Sequence, residues 1–145
     1  MMKMREGFGK PMRGFSITVS LQAGYGGRGV ISPPETVMAI ISSFARKEEI
    51  EIGGTLRREE IFYAYKSKDG MVWATEPGIV ISGLFPPNKF ANKSDQDLVA
   101  IVGQLVESLA EALEQTSVHA EVCGLHCAWK QEGKKTAHEL AKSNS

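Results

Sequence analysis

Three features of the sequence predict an α+β fold, with two helices packed on one face of an antiparallel sheet. A run near the start alternates apolar and polar residues with period two. Two later segments repeat apolar residues at helical spacing, each behind residues that start helices. Between them lies a β-rich stretch that carries a tight-turn signal.

The first strand rests on Phe15, Ile17, Val19 and Leu21, which alternate with Ser16, Thr18, Ser20 and Gln22. That period turns one face to a core and the other to solvent. A glycine-rich loop, Gly24 to Gly29, follows. For the first helix, Ser32 is expected to cap the start, Pro33 to take the first helical position and Glu35 to complete a capping box. Val37, Ile40, Ile41 and Phe44 form its apolar stripe, and Arg46 and Lys47 suit the negative end of its dipole.

Residues 51–66 read as β through Ile52, Leu56, Ile61, Phe62, Tyr63 and Tyr65, with Gly53-Gly54 as a bend or bulge. Asp69-Gly70 marks a hairpin turn. Residues 71–85 return antiparallel, as one strand broken at Pro77-Gly78 or as two strands, and Pro86-Pro87 ends them. The second helix opens on the pair Ser94 and Asp97 and carries the stripe Leu98, Ile101, Val102, Leu105, Leu109, Ala112 and Leu113. Gly103 inside it costs a helix ~1 kcal/mol against alanine, which predicts close packing at that point. In the last strand, Ser117 to Cys123, one face is Val118, Ala120 and Val122.

The order strand, helix, strand, strand, helix, strand is that of a ferredoxin-like two-layer plait (βαββαβ), here with an extended middle hairpin. In that plait the first and last strands are neighbours. Residues 15–132 are expected to form this single α+β domain, with 1–14 as an N-terminal arm and 133–145 as a polar C-terminal tail. A length of 145 residues fits one domain.

Composition narrows the function classes. Seventeen Lys and Arg balance seventeen Asp and Glu, so no nucleic-acid partner is expected, because phosphate neutralisation needs a clustered positive excess. The longest nearly apolar stretch, Leu98 to Gly103, falls short of the ~20 residues of a membrane helix, so no membrane partner is expected. The first residues carry charge without an apolar run behind it, which predicts a cytoplasmic location. Two cysteines, Cys123 and Cys127, are too few for a disulfide scaffold. On an extended chain their Cα atoms lie ~13 Å apart, though a turn at Gly124 would bring them closer.

Three constellations bear on chemistry. Gly24, Gly26 and Gly29 satisfy G-x-G-x-x-G, with Glu51 about twenty residues on as a ribose-binding acid. Pro33 and Pro34, however, remove backbone donors that a pyrophosphate needs, so the loop reads as a connection or as a ligand lip using Arg28. His119, Cys123, His126 and Cys127 are zinc-type donors, but all lie on one short segment. On an extended strand they do not converge, so neither a metal nor a cofactor is expected.

The third constellation follows from the pleat. If Val118, Ala120 and Val122 face the helices, then His119, Glu121 and Cys123 face the other side, beside Thr18, Ser20 and Gln22. The candidate ligand-binding set is therefore Thr18, Ser20, Gln22, Arg28, His119, Glu121 and Cys123. His119 beside Glu121 is a candidate general-base pair. No complete catalytic motif is present.

Two functional readings follow. One is a small cytosolic module that self-associates or binds a partner through its sheet. The alternative is a small-molecule-binding protein or enzyme, with its site between the Gly24–Gly29 loop and the open sheet face around His119 and Glu121. Ile61, Phe62, Tyr63, Tyr65, Met71 and Trp73 leave both faces of the middle hairpin partly apolar, which predicts a homodimer with Tyr63, Tyr65 or Trp73 at the interface.

Overall fold

The computed structural model describes residues 12–24 and 29–130. The elements are β1 (Arg13–Ser20), α1 (Glu35–Glu48), β2 (Gly54–Ser67), β3 (Gly70–Phe85), the helical turn α2 (Pro87–Phe90), α3 (Asp95–Ala112), β4 (Ser117–Val122) and β5 (Leu125–Lys130). They build an α+β protein around a five-stranded sheet in the order β2-β3-β1-β4-β5, antiparallel throughout.

The core forms where the period-two face of the sheet meets the helices. Ile17, Val19, Ile79, Ile81, Val118 and Val122 pack with Val37 and Phe44 of α1 and with Leu98, Val102, Leu105 and Leu109 of α3. Both long helices thus cover one face and leave the other open. Ser94 caps α3 as its sequence implies: its hydroxyl accepts from the Asp97 amide, and the Asp97 carboxylate accepts from the Ser94 amide. Those bonds hold the Asp97 carboxyl below the usual range. At Gly103, α3 runs close over β5, where an added Cβ would come within 2.9 Å of the Trp129 indole nitrogen.

The structure departs from the four-strand βαββαβ plait at its C-terminal edge. Cys123 and Gly124 take positive φ of 52° and 78°, the backbone of a two-residue hairpin turn. The chain reverses there and β5 is added beyond β4, with Cys127 and Trp129 packed on the core side.

Other boundaries also move. β1 begins at Arg13, whose guanidinium donates to the carbonyls of Phe90 and Lys93 and pairs with Asp95. The first helix starts after Pro34 without a side-chain cap, because the Ser32 amide is engaged by the Leu21 carbonyl in the bridge that closes the glycine loop.

Residues 70–85 form one strand, through Pro77-Gly78. The Pro77 carbonyl accepts from Leu21, so the missing N–H of Pro77 falls on the β1 side, just past the last paired residue of β1. The reciprocal bond that proline cannot donate leaves no acceptor unpaired, because the Leu21 carbonyl accepts from the Ser32 amide instead. Beyond that point β2 and β3 continue together as a two-stranded ribbon, 60–67 against 70–77.

Candidate functional site on the open sheet face

The register decides which side chains share the open face. Thr18 pairs with His119, Ser16 with Glu121, and Glu121 in turn with His126. Along the ribbon the open-face pairs are Ile61 with Glu76, Tyr63 with Ala74 and Tyr65 with Val72.

Glu76 is the group this face treats differently. It is half-buried at the base of the ribbon, and burial pushes its carboxyl above the usual range, with a hydrogen bond from Ser20 offsetting part of that rise. Ile61 stands directly across from it. Ile61 also lies over the backbone of Gly78, where an added Cβ would sit 2.3 Å from the Ile61 Cδ1. Glycine at 78 therefore lets an apolar side chain close over the strand next to Glu76. Tyr63 is the diagonal neighbour of Glu76 and stacks on Tyr65, centroids 6.0 Å apart and rings 25° from parallel.

The described residues at the base of the glycine loop meet the same end of the face. Leu21 donates to the Pro77 carbonyl, and Ser20 pairs with Gly78. The Ser20 hydroxyl accepts from the Gln22 amide at 3.0 Å, and its own proton is in reach of the Gln22 carbonyl and the Glu76 carboxyl. The Gln22 side chain donates to the Gly29 carbonyl, and buried Gln115 donates to the Gln22 carbonyl at 2.6 Å. These bonds fix the base of the loop beside Glu76.

The sequence-derived site is therefore divided. Thr18, His119 and Glu121 do lie together, exposed, on the open face. Ser20 and Gln22 are buried, with Gln22 committed to the loop, so neither is an exposed ligand lip. Cys123 leaves the open face because the hairpin turn begins at it: its amide donates to the Gly14 carbonyl and its side chain packs on the core. Burial, with Asp95 beside it, pushes the Cys123 thiol up, which disfavours the thiolate. Arg28 lies outside the described residues.

Glu51, the expected ribose acid, pairs instead with Lys89, at the rim of a groove of about 930 Å³ lined by Ala45, Ile52 and Leu84. The hairpin brings His119 and His126 together, their Nδ1 and Nε2 3.2 Å apart. Cys127 faces the core opposite Ala120 and takes no part. Among the described residues no set of three or more His, Cys, Asp or Glu is arranged to hold a metal ion, and no helix is long and apolar enough to cross a membrane.

Glu76 escaped the sequence reading, although a signal exists. Counting back from the Asp69-Gly70 turn places it on the face of Tyr63 and Tyr65, next to a Pro-Gly step where a side chain is missing.

Fold and face together define an α+β antiparallel-sheet protein with a half-buried carboxylate beside stacked aromatic rings. No protein-family profile and no curated protein sequence matches the chain. Among solved structures, it resembles a phage SAM lyase in complex with S-methyl-5'-thioadenosine, with a TM-score of 0.61 and 18% identity over 93% of this chain and 98% of that one. The phage SAM lyase in the apo state gives a TM-score of 0.61 and 17% identity over 92% and 100% of the two chains. At these identities the likeness is one of fold.

Proposed function

We propose that this protein binds and cleaves S-adenosylmethionine, holding its adenosyl thioether part on the open face beside Glu76. The observation that carries the reading is Glu76 itself, a half-buried carboxylate held by Ser20 at the foot of an aromatic ribbon. The lyase fold supports it.

The chemistry is consistent with those groups. S-adenosylmethionine carries a sulfonium and an ammonium, and a carboxylate in a partly dry setting attracts both. Tyrosine rings offer π faces to adenine and to the sulfonium cation. A lyase step that leaves S-methyl-5'-thioadenosine breaks the bond from sulfur to the aminobutyrate chain. Both electrons of that bond stay on sulfur, which becomes a neutral thioether, while an oxygen of the substrate's own α-carboxylate makes the new bond to the γ-carbon and closes a five-membered lactone, so no outside nucleophile is consumed.

The site lies between the base of the glycine loop and the sheet face. Its centre is Glu76, and Thr18, His119 and Glu121 extend the same surface across β1 and β4. Calorimetry with S-methyl-5'-thioadenosine and chromatography of S-adenosylmethionine incubations test the reading. Saturable binding and release of the thioether are expected. No binding of either compound at ~1 mM, with no thioether formed, would sink it.

A second chain is favoured by the other side of the ribbon. There Phe62 and Trp73 stack 6.2 Å apart, 69% and 70% exposed, with Met71 63% exposed beside them. Tyr63 and Tyr65, also expected at an interface, are half-buried on the opposite side. The homodimer is therefore proposed to form through Phe62, Met71 and Trp73. Light scattering after size exclusion is expected to give about twice 15.8 kDa, and Trp73→Ser to shift the mass to that of one chain. A mass of 15.8 kDa for the wild type at every concentration contradicts it.

A further inference from the structure

The β4–β5 hairpin places two imidazoles together on the exposed edge of the open face. His126 stands across from Glu121, and His119 across from Ala128, so the two histidines are diagonal neighbours on one face. Their rings stack with centroids 5.3 Å apart and 23° between planes, and His119 Nδ1 lies 3.2 Å from His126 Nε2.

The two nitrogens share a hydrogen bond, and the same separation lies within the bite of a chelate, in which an ion replaces the shared proton. Two nitrogens bound to zinc at 2.0–2.1 Å lie about 3.4 Å apart at a tetrahedral angle and about 2.9 Å at a right angle. The observed 3.2 Å falls between the two. Both side chains are exposed, so the rings turn at little cost and an ion enters directly from solvent.

We propose that His119 and His126 form an exchangeable binding site for a divalent transition-metal ion. Imidazole nitrogen selects copper, nickel or zinc over magnesium or calcium, which prefer oxygen. Glu121 is exposed on the same face, across from His126 and two residues along from His119. As a neighbouring carboxylate it favours a cation there without being a ligand, and water or an external ligand takes the remaining positions. A structural zinc site is closed by four protein ligands, so this site is not one that folding requires. The proposal shares His119 and Glu121 with the edge of the surface assigned to S-adenosylmethionine but uses neither Glu76 nor the tyrosines, and metal titration without S-adenosylmethionine reads it separately.

Calorimetric titration of the chelator-treated full chain with zinc chloride, and separately with nickel chloride, tests it. One ion per chain is expected, with affinity reduced at least ~10-fold by His119→Ala and by His126→Ala. His138→Ala, which changes a histidine elsewhere in the sequence, is expected to leave the affinity unchanged. His119→Asn provides a second variant of similar polarity, and far-UV circular dichroism verifies that each variant is folded. Absence of one-to-one binding up to ~1 mM metal overturns the proposal, as does unchanged affinity in folded His119 and His126 variants.

Discussion

Glu76→Gln is expected to lower release of S-methyl-5'-thioadenosine from S-adenosylmethionine by about 100-fold or more, the scale on which one preorganised polar group counts. The same substitution is expected to raise the melting temperature at neutral pH. Burial raises the Glu76 carboxyl above its unfolded value, so the native state binds its proton more tightly than the unfolded state does. The stability this group contributes is complete below the ordinary glutamate range near 4.5 and is lost as pH rises through the folded value.

Glutamine is neutral at every pH and keeps the shape of the side chain. Wild type and variant should therefore melt alike in mild acid and diverge as pH rises, with the variant the more stable. Turnover by chromatography and melting curves across pH read both effects. Unchanged turnover would remove Glu76 from the site. A variant less stable at neutral pH would show that the carboxylate is held in its charged form by more than Ser20.

Leu105→Ala is expected to cost the fold about 2–5 kcal/mol, the range for removing a large aliphatic side chain from a packed core. Leu105 lies on the stripe of α3 that faces the sheet and is 1% exposed. Its loss leaves a void among side chains held by two helices and by strands on either side, where collapse is resisted. For a domain of this size that amounts to a drop on the order of 10 °C in melting temperature. Leu84→Ala serves as the control: Leu84 is 57% exposed, and truncation there removes little buried surface. Chemical denaturation of both variants reads the difference. A loss below ~1 kcal/mol for Leu105 would count against the packing of α3.

Much of the fold was legible because its signals are local. The apolar positions Phe15, Ile17, Val19 and Leu21, the stripe residues Leu98, Val102, Leu105, Leu109 and Leu113 and the Ser94–Asp97 box follow local signals and are present, whereas Ala112 is exposed, Val106 is buried, and Ser20 and Gln22 are buried rather than facing solvent. The first helix was misplaced by two residues because Ser32 is drawn into a bridge across the glycine loop, a contact between parts of the chain that no capping pattern encodes. The sequence ends its last strand at Cys123 and omits β5 because cysteine is not a usual residue at positive φ, although Gly124 and the alternation of Cys127 and Trp129 point to a hairpin. One missed turn misplaced three candidates at once: Cys123 left the open face, Cys127 turned to the core, and His126 came to His119.

By itself the sequence determined the α+β class, the faces that become core, and the set of polar side chains available to the open face, since periodicity is a property of neighbouring residues. Only the tertiary structure decided which of those side chains matter chemically. The Glu76 carboxyl is raised by burial at a point where Ile61 stands across from it on β2, and Ser20 of β1 offsets part of that rise. The two imidazoles meet because the β4–β5 turn sets their register. Desolvation and chelation act over a few ångströms of space, and strand register, not distance along the chain, sets that separation.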